Sequence, residues 1–217
     1  MSAAPRGGSS RKAEYLEAII AQLMSTGIND LSLRELAAQV GTSHRVLIYH
    51  FDSKEHLIND VVQEVRRRER ELFRRSGALA TDDLGSALTA FFEHNISPAM
   101  RPYFRLFYEV WGIAQAKPDA YERFLDGIVS GWVDLLSNAF LRAGYDPDRA
   151  EARATLVLAT LRGLQLDLFT TGEEARVRAA FAALVSMIQS EADTLARPPR
   201  TPTGSPRETH DQNGEAR

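Results

Sequence analysis

The stretch Gly41-Thr42-Ser43-His44-Arg45-Val46-Leu47-Ile48-Tyr49-His50-Phe51 sets two hydroxyls, an imidazole and a guanidinium side by side, then turns apolar. Such a donor set suits hydrogen bonding to anionic oxygens or base edges, and the arginine fork can meet two acceptors at once. Metal chemistry fits poorly. His44, His50 and His56 recur every six residues, which on a helix sets successive imidazoles about 120° apart. The chain has no cysteine, and no carboxylate completes a tetrahedral set with these histidines. The patterns HExxH, GxSxG, GxGxxG and the P-loop do not occur, so the sequence predicts no metal, no cofactor and no enzyme.

Those donors need a short helix, free at its leading end and anchored at its trailing end. The pattern predicts a first helix from about Ser10 to Ser25, with Leu16, Ile19, Ile20 and Leu23 as one buried stripe, ended by Thr26-Gly27. Ser32 and Glu35 have capping-box spacing before a second helix with Leu33, Leu36, Ala37 and Val40 inward. Gly41 suits a left-handed stop. Thr42 or Ser43 then caps a third helix to about Tyr49, and Asp52 or Ser53 caps a fourth. The fourth carries Leu57, Ile58, Val61, Val62 and Val65 and continues to Arg75, a length of roughly 35 Å. Helix, three-residue turn, helix is the arrangement of a helix-turn-helix DNA reader. Leu47 and Phe51, four apart, anchor the reading helix and leave Ser43, His44 and Arg45 at its exposed, amide-rich end.

The run Gly41-Thr42-Ser43-His44-Arg45-Val46-Leu47-Ile48-Tyr49-His50-Phe51-Asp52-Ser53-Lys54-Glu55-His56-Leu57 resembles the helix-turn-helix of the TetR family of bacterial transcriptional regulators. Gly41, Ser43, Leu47, Tyr49, His50, Phe51, Ser53, Lys54, Glu55 and Leu57 match the family pattern, and Leu31 to Ala37 fits the segment before it. Ile48 stands where the family has a tyrosine that commonly lies near the DNA backbone. The resemblance covers about residues 10–57 and implies that Tyr49 and Lys54 position phosphates. The candidate DNA-contacting set is Ser32, Arg34, Thr42, Ser43, His44, Arg45, Tyr49, His50 and Lys54. Arg45 suits a guanine edge, a phosphate or plain solvation; His44 suits a base, a phosphate or no partner; His50 packs at the helix end within reach of a phosphate. Arg6, Arg11 and Lys12 form either an arm toward a flanking groove or a tail with incidental charge.

Eleven of the 18 aromatic residues fall between positions 91 and 140. On a helix around Pro102–Gln115, Phe104, Phe107, Tyr108 and Trp111 share one face and Leu106, Val110 and Ile113 the other, so the helix is expected to be buried on all sides. Phe124, Ile128, Trp132 and Leu135 form a stripe on the next helix. These aromatics suit an ordinary core or a pocket for a flat or elongated apolar ligand, and the resemblance implies a ligand-sensing domain here. The candidate ligand residues are Phe92, Phe104, Phe107, Tyr108, Trp111, Phe124, Ile128, Trp132 and Gln165. Two final helices, about Pro147–Thr170 and Glu173–Ala196, are too apolar for single-faced surface helices, and the resemblance implies that they pair in a homodimer, with Leu164 and Phe181 in the seam.

Residues 1–75 carry 12 basic and 10 acidic side chains and the remainder 14 and 19, so a net +2 end sits on a net −5 body. That asymmetry fits an anionic partner at the N-terminal end. No apolar run is expected to span a bilayer, the first residues lack a signal-peptide core, and cysteine is absent, which together predict a cytoplasmic, membrane-free protein. The expected architecture is all-α: a tail at 1–9, a helix-turn-helix domain at 10–56, a ligand-sensing and dimerisation domain at 57–196, and a second tail at 197–217. The resulting expectation is a homodimeric regulator of palindromic double-stranded operator DNA, a repressor released by a lipophilic or aromatic small molecule. The alternatives are a lipophile-binding enzyme or carrier with a vestigial helix-turn-helix, and a regulator controlled by a protein partner.

Overall fold

The computed structural model describes residues 7–28, 32–79, 81 and 83–196, which contain ten α-helices and no strand. The helices are α1 (Gly7–Thr26), α2 (Leu33–Gln39), α3 (His44–Phe51), α4 (Lys54–Ser76), α5 (Leu84–Ile96), α6 (Arg101–Ala116), α7 (Glu122–Leu125), α8 (Ser130–Arg142), α9 (Pro147–Thr171) and α10 (Glu174–Ala196). A short 3-10 turn, Asp119–Tyr121, precedes α7. The all-α expectation holds for these residues.

Local chemistry sets the helix ends. Ser32 caps α2, accepting from the Glu35 amide at 3.2 Å, while the Glu35 carboxylate accepts from the Ser32 amide at 2.7 Å. Ser43, Ser53, Asp83 and Asp146 cap α3, α4, α5 and α9 in the same way. The exposed flank of α4 is laced by Glu64 with Arg67 and Arg68, and by Glu71 with Arg74 and Arg75. In each case the acid precedes the arginine by three or four residues, the order that suits the helix dipole.

Apolar burial forms two clusters. The first joins α1 to α4 with α6 and α7 through Ile19, Leu23, Leu47, Phe51, Leu57, Val61, Phe107, Val110 and Phe124. The second joins the end of α4 at Phe73 to α5, α8, α9 and α10. Phe92 stacks on Phe181 with centroids 4.2 Å apart, fixing α5 to α10. A polar latch fixes α6 to the end of α1. Arg105 donates to the Met24 and Ser25 carbonyls, each at 2.9 Å, and Glu109 accepts from the Ile28 amide at 2.6 Å. Gly27 sits between them with φ +80°, and a Cβ there would meet the Glu109 carboxylate at 2.7 Å.

Several expectations need correction. Helix α1 starts at Gly7, inside the expected tail; Arg6 and the tail at 197–217 lie outside the described residues. Arg11 and Lys12 belong to α1, and Lys12 is held at 2.9 Å by Asp60 and lies over the Phe51 ring, so neither belongs to a free arm. The stripe Phe124, Ile128, Trp132, Leu135 does not lie on one helix, because a turn at 126–129 separates α7 from α8. Asp119–Arg142, of membrane-spanning length and composition, is broken by that same turn at Gly127, φ +63°. Helix α6 is not enclosed: Tyr108, Trp111 and Ile113 are half-buried and Gly112 is exposed. Phe181 is buried within its own chain, so it is a core residue and not a seam residue.

Glu109→Ala is expected to lower stability by about 1.5–3 kcal/mol, because the Ile28 amide loses a charged acceptor. Gly27→Ala adds a left-handed strain of about 1 kcal/mol. Unchanged urea midpoints in both variants would show that the latch is not a stabilising contact. The Arg67 hydrogen bond, with Arg68, holds the Glu64 carboxyl down at about 2 against an ordinary 4.5. A depressed carboxyl pKa stabilises the fold above its ordinary value and loses that contribution as pH falls toward 2. Glu64→Gln should therefore be less stable than the parent at pH 6 and converge with it near pH 2, measured by chemical denaturation.

Candidate nucleic-acid interface and ligand cleft

The turn between α2 and α3 is built by backbone hydrogen bonds. The Thr42 amide reaches the Ala37 carbonyl at 2.8 Å and the Gly41 amide reaches Ala38 at 3.2 Å, with Gly41 at φ +70°. This double closure is a Schellman motif, and it places Thr42 and Ser43 directly after a sharp stop. Helix α3 is then held by its trailing residues: Leu47 is 0% and Phe51 2% exposed. The next link is tighter. Asp52 has φ 63° and ψ −50°, and the Ser53 amide bonds the Phe51 carbonyl at 2.7 Å, which makes a strained γ-turn between α3 and α4.

The structure brings the predicted DNA-contacting residues to the surface around that turn. Ser32, Arg34, Ser43, His44, Arg45 and Tyr49 are exposed; Thr42, His50 and Lys54 are half-buried. Tyr49 is 81% exposed, its ring edge-on to His50 at 5.0 Å, and His50 packs on Tyr15 at 5.6 Å. Among the described residues Arg34 and Arg45 have no ion pair or side-chain hydrogen bond, so their guanidiniums are available. Lys54 stands at the first position of α4, where a cation is disfavoured by the helix dipole.

The predicted ligand residues divide between the two clusters. Phe104, Phe107, Tyr108, Trp111, Phe124 and Ile128 belong to the first or pack against it, with Phe107 5.4 Å from Trp111 and 5.8 Å from Phe124. Gln165, fully buried, accepts from the Tyr108 hydroxyl at 2.8 Å and donates to the Asn95 carbonyl at 2.9 Å. Burial raises the Tyr108 pKa well above its ordinary value, so the hydroxyl remains a donor. Phe92 and Trp132 lie elsewhere: Phe92 is stacked on Phe181, and Trp132 packs on Phe73 and Phe91 at 5.7 and 5.6 Å. Among the α6 aromatics the free space beside Tyr103 and Phe107 is about 10 Å³, a filled core. A cleft of about 810 Å³ opens instead between the C-terminal end of α4 and α8, with Trp132 in its wall.

Sequence reasoning missed the buried charges Arg66 and Glu69 and the arginines that act beside them, half-buried Arg162 and exposed Arg70. Arg66 donates to the Phe124 and Asp126 carbonyls at 3.1 and 3.3 Å, Arg70 to Gly127 at 3.3 Å, and Arg162 to Ile128 at 2.8 Å. Three guanidiniums from two helices thus hold the carbonyls of the turn that separates α7 from α8. Arg162 also lies over Trp111 at 4.7 Å. Glu69, 3% exposed, faces His94 at 3.7 Å, beyond hydrogen-bond distance. Burial raises its pKa, with His94 opposing the shift. Arg66, Glu69 and Phe73 continue the buried stripe of Val62 along α4 at spacings of four, three and four, so charge at a stripe position was the available signal.

Residues 16–61 match the family model for bacterial regulatory proteins of the tetR family. No curated protein matches the sequence. Among solved structures, a putative transcriptional regulator from Pseudomonas aeruginosa PAO1 is 25% identical, covering 89% of this chain and 97% of its own, with a TM-score of 0.68. A transcriptional regulator from Rhodococcus sp. Rha1 is 21% identical over 84% of this chain and 97% of its own, TM-score 0.70. A putative transcriptional regulator from Saccharomonospora viridis, in complex with choline, is 23% identical over 83% of this chain and 96% of its own, TM-score 0.65. The helix-turn-helix segment is thus similar to that of bacterial regulatory proteins of the tetR family, and the fold over most of the chain is similar to that of solved transcriptional regulators.

Proposed function

We propose that the chain is a homodimeric, non-enzymatic repressor of the cytoplasm that reads palindromic duplex DNA with α3 and is released by a lipophilic small molecule. The observation that carries this is the asymmetry of α3: an apolar end locked into the core and a leading end of Ser43, His44 and Arg45 left to solvent, with no intramolecular partner for Arg45 among the described residues. In that role Arg45 and His44 meet base edges or phosphates. Ser32, Arg34, Thr42, Ser43, Tyr49, His50 and Lys54 fix the helix on the backbone. Two such helices about one DNA turn apart need a dimer.

The outer faces of α9 and α10 support that assembly. On α9, exposed Leu156, Ala159, Gly163 and Leu166 follow at three- and four-residue steps; on α10, Ala179, Ala183 and Met187 do the same, with Met187 70% exposed. Two adjacent uncharged faces are what a second copy can cover. The choline complex of the S. viridis relative supports a small molecule as the effector. Helix α4 is the route: it begins at the α3 turn and ends at the α4–α8 cleft, about 35 Å away. A coupling of about 1–3 kcal/mol suffices, and operator DNA must then weaken the effector's binding by the same factor.

Selection of bound sequences from random duplexes should return a palindrome. On that site Arg45→Ala should cost about 1–3 kcal/mol and relax one base position, whereas Lys54→Ala should weaken all sequences alike and flatten the salt dependence. A double variant with parental affinity would remove α3 from the interface. Leu156→Glu and Leu166→Glu put charge on exposed positions, so the subunit should still fold while sedimenting as a monomer with weak operator binding. A parent protein that is monomeric at micromolar concentration would end the dimer reading.

A further inference from the structure

The cleft between α4 and α8 has about 810 Å³ of room, enough for a drug-sized molecule. Its walls are unusual for an apolar site. Phe73, Trp132 and Leu135 give it an apolar surface, while Arg70, Arg74 and Arg142 stand around it and no carboxylate lines it. The arginines' own partners leave their charge largely uncompensated. Arg70 donates to the neutral Gly127 carbonyl at 3.3 Å, and Arg142 to the neutral Leu79 carbonyl at 2.5 Å. Arg74 pairs with Glu71, a carboxylate that it shares with Arg75. The neighbouring acid Glu69 is turned into the core toward His94. Gly131, at the second position of α8, leaves the space in which the Arg70 guanidinium sits: a Cβ there would lie 2.8 Å from its Nη2.

We propose that this cleft binds a lipophilic carboxylate, its charge drawn by the arginines that line the cleft, Arg70, Arg74 and Arg142, and its apolar body along Phe73, Trp132 and Leu135. The planar forks suit a carboxylate, and a charge-assisted hydrogen bond is stronger than a neutral one. A cation such as the choline of the S. viridis relative meets repulsion here. The inference rests on the effector-released regulator reading and names the effector's class. It also supplies the switch. Arg70 is one of the three arginines that hold the carbonyls of residues 124–128. Recruited by a carboxylate, it leaves Gly127, and the contact between the end of α4 and the start of α8 is rearranged at the far end of the helix that begins beside α3.

Trp111 and Trp132 are the two tryptophans, so Trp111→Phe leaves Trp132 as the reporter within the cleft. That protein would be titrated, below micelle formation, with dodecanoate, dodecanol and dodecyltrimethylammonium. Dodecanoate should change Trp132 emission saturably and bind about tenfold or more tighter than dodecanol, the equivalent of one charge-assisted hydrogen bond. Arg142→Gln and Arg70→Gln should each remove that preference while dodecanol binding stays. Because Arg142 touches only a loop carbonyl, its variant carries the test if Arg70→Gln does not fold. Equal affinity for acid and alcohol, tighter binding of the ammonium, or a preference unchanged in Arg142→Gln would each overturn the proposal. The ligand-free protein is assayed in parallel on its selected duplex. Duplex binding without carboxylate preference sinks the effector class alone, whereas carboxylate binding without any duplex binding sinks the regulator reading and leaves the cleft.

Discussion

Helix α4 contributes Leu57, Ile58, Val61, Val62 and Val65 to one apolar cluster and Phe73 to the other; α9, buried in the second, reaches the first through half-buried Phe169. Helix α4 has to be buried along most of its 23 residues, yet its sequence is rich in charge. The solution is a division by face. The outer flank carries acid–arginine pairs at helical spacing, while Arg66 and Glu69 go inward with the valines. A charge taken out of water is costly unless it finds partners, so every element packed on that stretch must answer to it. The carbonyls of Phe124 and Asp126 answer Arg66 at the end of α7.

The turn at 124–128 is the converse case. Phe124 and Ile128 are buried, Gly127 is half-buried and Asp126 is exposed, so part of its backbone is turned inward, where an unpaired acceptor is costly. Guanidiniums from α4 and α9 satisfy its carbonyls. The same groups tie two helices, α4 and α9, to one short segment, so a displacement of either is felt by the other. Rigid packing around a polar joint of this kind gives discrete alternatives in place of gradual deformation.

At the opposite end of α4 the γ-turn at Asp52 leaves almost no slack between that helix and α3. The latch of Arg105 and Glu109 on the end of α1 adds a second fixed point between α6 and the helix-turn-helix. Helix α3, held by Leu47 and Phe51, joined to α4 through a strained turn and braced from α6, is fixed to the body behind it. That mechanical coupling is what a regulator of DNA binding requires.

Much of this architecture was written locally. The caps at Ser32, Ser43 and Ser53, the stop at Gly41, the stripes of α1, α2 and α4 and the two long terminal helices all follow from spacing and side-chain type, because each depends on neighbours within a turn or two of chain. The exposure of Ser43, His44 and Arg45 followed as well, since anchoring at Leu47 and Phe51 leaves them no other place. What the sequence could not determine was set by distant partners. Periodicity carried one stripe through Phe124, Ile128, Trp132 and Leu135, but arginines some 34 to 60 positions away stabilise a break within it. Phe181 and Leu156 are both apolar residues on the last two helices, and nothing local tells them apart; the first is covered by Phe92 of α5 and the second faces solvent. The aromatics of α6 were the natural candidates for a pocket, yet Phe107, Trp111, Phe124 and the Gln165–Tyr108 pair fill that space with one another. A cleft lies instead between the end of α4 and α8, lined by residues 70–79 and 131–142, and which segments so distant in sequence come to face one another is decided by the tertiary structure alone.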